Sequence, residues 1–157
     1  MTVWITTAIL LAELAGVIYL LAITALGYLP TLQDQILTAF TCSLFGALGG
    51  CIYCLRGIYL NACVRNTWNT SWLPWYVIRP FVSLVLGGIS YLFVKSGLLL
   101  LGTDSSQSTS ELGLWAIAFI AGLNVDKFVA KIESVGQSAW GIEPSRQSKP
   151  SDSSSNQ

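Results

Sequence analysis

Apolar residues fall into four long runs separated by polar breaks. Each run far outlasts the roughly 4–8 residues of a buried strand, so the pattern predicts helices. Residues 3–28 are apolar for long enough to cross a hydrocarbon core, which takes about 20 residues. Leu29-Pro30 closes that run, because proline cannot continue a helix, and residues 31–34 make a short turn. Residues 35–60 and 77–101 form the second and third runs, and Pro80 is expected in the first turn of the third, where its missing N–H costs nothing. A fourth span is expected over residues 112–130, although it is uniformly apolar only to Leu123. Beyond Gly122 the helical period persists: Val125, Phe128, Val129, Ile132 and Val135 recur at three- and four-residue spacing, with Asp126, Lys127, Lys131 and Glu133 on the other side. The pattern therefore predicts an all-α fold, a four-transmembrane-helix bundle over residues 1–140. Its last helix is expected to continue as a cytoplasmic amphipathic segment to about Trp140. Residues 141–157 are Ser/Pro-rich without an apolar face and are expected to form a disordered polar tail.

The second run carries a ridge of small side chains. Cys42, Gly46, Gly50 and Cys54 recur every fourth position and stack along one face, and Ser43, Ala47 and Cys51 form the adjacent row. Gly46-x3-Gly50 is the small-x3-small spacing that lets two helix backbones approach closely in lipid, and Gly87 falls at matching depth on the third run. This face is built to receive another helix. The first two spans are expected to form a tight antiparallel pair. Between the second and third runs, residues 61–76 crowd Trp68, Trp72, Trp75 and Tyr76 together, which places that stretch at headgroup level.

Composition fixes the class. Of 157 residues, 53% are hydrophobic and 10% charged, well under the roughly 25% charged of soluble domains. Net charge is zero and there is no histidine, so neither a basic nucleic-acid surface nor imidazole chemistry is expected. The chain reads as a non-enzyme without catalytic residue, metal site or cofactor. Cys51-x2-Cys54 has the spacing of a redox or metal pair. Without a histidine or second thiol pair to complete a tetrahedral site, the cysteines read as packing residues. With four spans, Arg56, Arg65, Arg79, Lys127, Lys131, Arg146 and Lys149 fall on one side of the membrane and the two opposite loops carry no Lys or Arg. The positive-inside rule then puts both termini in the cytoplasm. No basic residue precedes the first run, and it exceeds the roughly 7–15 apolar residues of a signal peptide, so it reads as a retained span.

Two sets of polar groups are candidates for function. Glu13 lies nine residues beyond Trp4, roughly 14 Å into the bilayer at about 1.5 Å per residue, where a carboxylate costs several kcal/mol unless protein, water or a partner meets it. Either it is protonated and hydrogen-bonds a carbonyl or a hydroxyl such as Ser90 or Ser43, or copies of it from neighbouring chains line an ion path. Lys95, farther up the third span, is out of its direct reach and either snorkels to the outer interface or forms an outer ring of charge in an oligomer. Arg56, Arg79, Asp126 and Lys127 are expected to cluster at the cytoplasmic boundary, as a clamp of helix ends or as an ion vestibule or lipid-headgroup site.

Gly49-Gly50, Trp72-x2-Trp75-Tyr76-x2-Arg79-Pro80, Gly97-Leu98 and Ala118-Phe119-Ile120-Ala121-Gly122 together resemble a pattern in uncharacterised small bacterial four-span membrane proteins. The resemblance covers residues 46–131 and implies a bacterial-type plasma membrane but no activity. The chain has Asp126-Lys127 where that pattern leads one to expect an arginine. The expected function is a self-assembling, ion-conducting membrane protein. The alternative is a non-catalytic accessory or scaffold subunit of a larger membrane complex. The expected partners are lipid and either further copies of the chain or another membrane protein.

Overall fold

The computed structural model describes residues 2–28, 33–97 and 110–141, and every regular element among them is helical. The order is α1 (Thr2–Ala25), α2 (Asp34–Ile58), a π-helical turn (Tyr59–Val64), a 3₁₀ turn (Thr70–Trp72), α3 (Leu73–Lys95), α4 (Glu111–Leu123) and α5 (Val125–Trp140). Three stretches, Thr2–Ala25, Asp34–Val64 and Thr70–Lys95, are long and apolar enough to cross a membrane, and α4 with α5 makes a fourth only if the two are one broken span. The helices suit an integral, multi-pass membrane protein. The expected polar tail and the expected loop before α4 lie largely outside the described residues.

Several helix ends differ from the sequence expectation, each for a local reason. α1 ends at Ala25 because Gly27 takes a left-handed φ of 72°, with the Tyr28 amide donating to the Ile23 carbonyl at 3.2 Å. Gly97, expected inside the third span, likewise takes φ 77° and ends α3 at Lys95. α3 begins at Leu73, with Pro74 in its first turn, so Pro80 sits inside the helix rather than at its start. The helix expected to run unbroken from residue 112 to Trp140 stops at Asn124, whose φ −121°, ψ 53° is not helical. α4 alone has 13 residues, about 20 Å at 1.5 Å per residue, and is too short for a core about 30 Å thick.

The chain divides into two compact units, Met1–Val125 and Asp126–Gln157, whose boundary falls beside the break at Asn124. The second unit contains nearly all of α5, whose apolar stripe of Phe128, Ile132 and Val135 backs onto exposed Asp126, Lys127 and Lys131. In the first unit α2 is central and packs against α1, α3 and α4. Val3 and Leu10 near the start of α1 pack with Cys54 and Ile58 near the end of α2, while Leu21 and Thr24 share a cavity with Asp34 and Leu37 at its start. α1 and α2 therefore run antiparallel, as expected. They are not the tight pair: two residues of α1 are buried, Thr6 and Leu10, against nine of α2 and nine of α3.

Candidate functional site

The glycine ridge is filled by the chain's own helices. A Cβ placed on Gly46 would lie 2.7 Å from Gly87 Cα, and one on Gly122 would lie 2.8 Å from Gly46 Cα. Neither approach leaves room for a methyl group, so α3 and α4 both meet α2 backbone to backbone at Gly46. One turn on, a Cβ on Gly49 would lie 2.8 Å from the Leu123 amide nitrogen, and one on Gly50 would lie 2.6 Å from Ser83 Cβ. Ser83 is fully buried on α3 and donates its hydroxyl to the Gly122 carbonyl at 3.0 Å, tying α3 to α4. Cys42 packs with Tyr91, Val94, Leu114 and Ala118, and Cys54 with Leu10, Ile58 and Tyr76. All five ridge residues, Cys42, Gly46, Gly50, Cys54 and Gly87, are thus enclosed within one chain, and the four cysteines are free thiols. The face that reads from sequence as an assembly surface is the core of the protomer.

Glu13 is half-buried on the inward stripe of α1, which also carries Thr6, Leu10, Leu14 and Val17. It is close enough to Cys51 and Cys54 of α2 to interact with them electrostatically. Its Oε2 is enclosed without a hydrogen-bond partner among the described residues. Neither hydroxyl weighed as a partner serves it: Ser90 donates to the Gly87 carbonyl at 2.7 Å and Ser43 to that of Ala39 at 3.1 Å, each within its own helix. Lys95 is exposed at the far end of α3, its Nζ 6.0 Å from the Tyr91 ring centroid. Since Tyr91 packs beside Cys42 and Glu13 lies near Cys51 and Cys54, the two charges sit at different levels of α2 and do not pair.

The four charges expected at the boundary are shared between the two units, Arg56 and Arg79 in the first and Asp126 and Lys127 in the second. Asp126 and Lys127 are exposed in the second unit. Arg79 is buried, 2% exposed, and its contacts include the faces of Tyr53 at 3.8 Å and Trp75 at 4.6 Å from the ring centroids. Those two rings, braced by the guanidinium, form part of the wall of a cavity of about 600 Å³ between the end of α2 and the start of α3. Arg56 and Arg65 line the same cavity from the exposed side.

The π-helical turn builds that cavity. Widening α2 over Tyr59–Val64 ends with the Arg65 amide donating to the Leu60 carbonyl at 2.9 Å, and it turns Asn61 toward α3. There the Asn61 amide donates to the Tyr76 hydroxyl at 3.0 Å, while Trp68 stacks on Tyr76 at 5.7 Å. Gly57 lets the Tyr76 ring lie close, since a Cβ there would stand 3.2 Å from Cε1. Asn66, at φ 50°, then reverses the chain toward Trp72. Sequence reasoning counts Arg65 only for orientation and reads the tryptophans as interfacial anchors before a ligand cage, and it misses Tyr53, Asn61 and Ser71 as lining residues. The available signal was two arginines nine residues apart beside an aromatic cluster, but nothing in the sequence announces a π turn.

Comparison with protein-family models, curated proteins and solved structures found no match to this chain.

Proposed function

We propose that the chain is a non-catalytic membrane subunit that assembles with further copies of itself through α1. The observation that carries this reading is the orientation of α1. At 100° per residue Ala8, Ala12, Ala15 and Gly16 gather on the side opposite Leu10, Leu14 and Val17, and all four are exposed. A Cβ on Gly16 would meet nothing within 4 Å. Membrane helices put small residues where another helix packs, and on α1 these four lie away from its own bundle, among exposed bulky residues such as Ile9, Leu11 and Tyr19. A patch of Ala-x3-Ala-x3-Gly is self-complementary, so two copies can mate about a two-fold axis with the same residues on each side. The membrane is taken to be a bacterial-type plasma membrane. By the positive-inside rule the end bearing Arg56 and Arg65 faces the cytoplasm, and α5 by itself has the amphipathic pattern of a helix that lies on a membrane surface.

The test is the mass of the protein in lipid nanodiscs, with Ala12→Leu/Gly16→Leu as the variant. The expected result is a discrete oligomer for the native chain and a monomer of unchanged helicity for the variant. A native chain that is monomeric in lipid, or a variant that still assembles, overturns the reading.

Ion conduction has one supporting observation, the half-burial of Glu13 at the seam between α1 and the rest of the unit. A ring of Glu13 around a pore requires α1 to present its inward face to neighbours, and neither cavity described is lined by Glu13. Vesicles reconstituted with the oligomer are expected to show no ion flux. Flux that Glu13→Gln abolishes would restore conduction as the function.

A further inference from the structure

We infer that the cavity between the end of α2 and the start of α3 binds a phosphate-bearing anion, supplied either as a phospholipid headgroup or as a soluble phosphate compound. The inference stands apart from assembly through α1, which involves none of these residues. The cavity holds two guanidinium groups, Arg56 and Arg65, and no carboxylate among its lining residues. Arginine's planar fork suits phosphate oxygens, and both arginines are exposed at the cavity's open side, where they can close on a ligand without first being desolvated. Ser71 adds a hydroxyl, and α3 begins at Leu73 directly after the lining residues Ser71 and Trp72. The positive end of the α3 dipole therefore lies at the rim, while the carbonyl end of α2 opposes it and is offset by the two arginines.

The walls are held in place before any ligand arrives. Arg79 fixes Tyr53 and Trp75 from behind, and Asn61 and Trp68 fix Tyr76, so the aromatic surface is preformed and only the arginines need move. The volume, about 600 Å³, falls in the usual range of small-molecule sites, roughly 300–1,000 Å³, and far exceeds what a bare phosphate fills. Its chemistry is divided to match a larger molecule: cationic and hydroxyl groups for the phosphate, and the rings of Tyr53, Trp72 and Trp75 for an apolar or glycerol-like remainder. The cavity at the other end of the first unit has the opposite character, with Asp34 and Glu111 among its lining residues and no basic group.

The experiment uses the full chain purified in a non-ionic detergent. Phospholipid retained after exhaustive detergent exchange is measured by native mass spectrometry for protein supplied with phosphatidylglycerol or phosphatidylcholine, and glycerol 3-phosphate is titrated calorimetrically in a second arm. Arg56→Gln/Arg65→Gln is compared with Lys127→Gln/Lys131→Gln, which removes equal charge outside the cavity. Retained phosphatidylglycerol that falls roughly tenfold or more in the arginine double variant, and not in the lysine one, identifies a headgroup site. Saturable glycerol 3-phosphate binding with the same arginine dependence and no retained lipid identifies a soluble ligand. Binding in neither arm, or equal losses in both double variants, overturns the inference.

Discussion

α1 and the junction of α2, α3 and α4 place the same kind of residue on opposite sides. At the junction Gly46, Gly49, Gly50, Gly87 and Gly122 face inward, and backbones touch where side chains would otherwise stand. On α1 the residues facing inward include the bulky Leu10, Leu14 and Val17, and Ala8, Ala12, Ala15 and Gly16 face out among exposed bulky ones. Lipid is as apolar as leucine, so burying leucine against protein instead of lipid gains little, whereas close backbone contact gains dispersion and admits bonds such as Ser83 to Gly122. The junction is therefore the stable part of the unit, and α1 is held by ordinary side-chain contact. The difference teaches that small residues at the junction mark where a helix is met, and the proposed assembly puts the corresponding meeting on α1 outside the protomer.

The comparison is sharpest in the response of two glycines to the same substitution. Gly46→Ala drives a methyl group into the α3 backbone at Ser83 and Gly87, where no flexible side chain can give way. The expected cost is about 2 kcal/mol or more, read as a large drop in thermal midpoint in detergent or as failure to fold. If that variant melts like the native chain, the backbone contacts are not what holds the junction. Gly16→Ala meets nothing and replaces a poor helix former, so a monomeric preparation is expected to gain about 0.5–1 kcal/mol. A loss of stability there would show that the outer face of α1 is already occupied within the protomer. Ser83→Ala removes the buried hydroxyl that joins α3 to α4 and is expected to cost about 0.6 kcal/mol, the average for interhelical bonds in membranes. Hydrogen exchange of the amides around Gly122 should rise with it, while those of α1 stay unchanged.

Much of this was legible in the chain, and what was not has particular causes. The spacing of Cys42, Gly46, Gly50 and Cys54 announces a face for close helix contact, but spacing does not say whose helix fills it. Gly27 and Gly97 read in sequence as interior residues of apolar runs, because a glycine in a helix and a glycine ending one look alike until φ is known. Asn124 gives no stop signal in sequence because the apolar period continues on both sides of it. The sequence leads one to expect a boundary where arginines gather. Its division into a buried Arg79 that braces two rings and exposed Arg56 and Arg65 that line a cavity follows from the π turn, which leaves no mark in residue periodicity.

Hydrophobic run length by itself determined that the chain is helical and suited to a membrane, since each backbone polar group in lipid must be satisfied within its own helix and that requirement acts locally. Where Glu13 points, which helices Gly46 touches and where the cavity opens were decided only in three dimensions. Each depends on the rotation of one helix against another, and that rotation is fixed by the sum of all contacts across the seam, not by the order of residues along either helix.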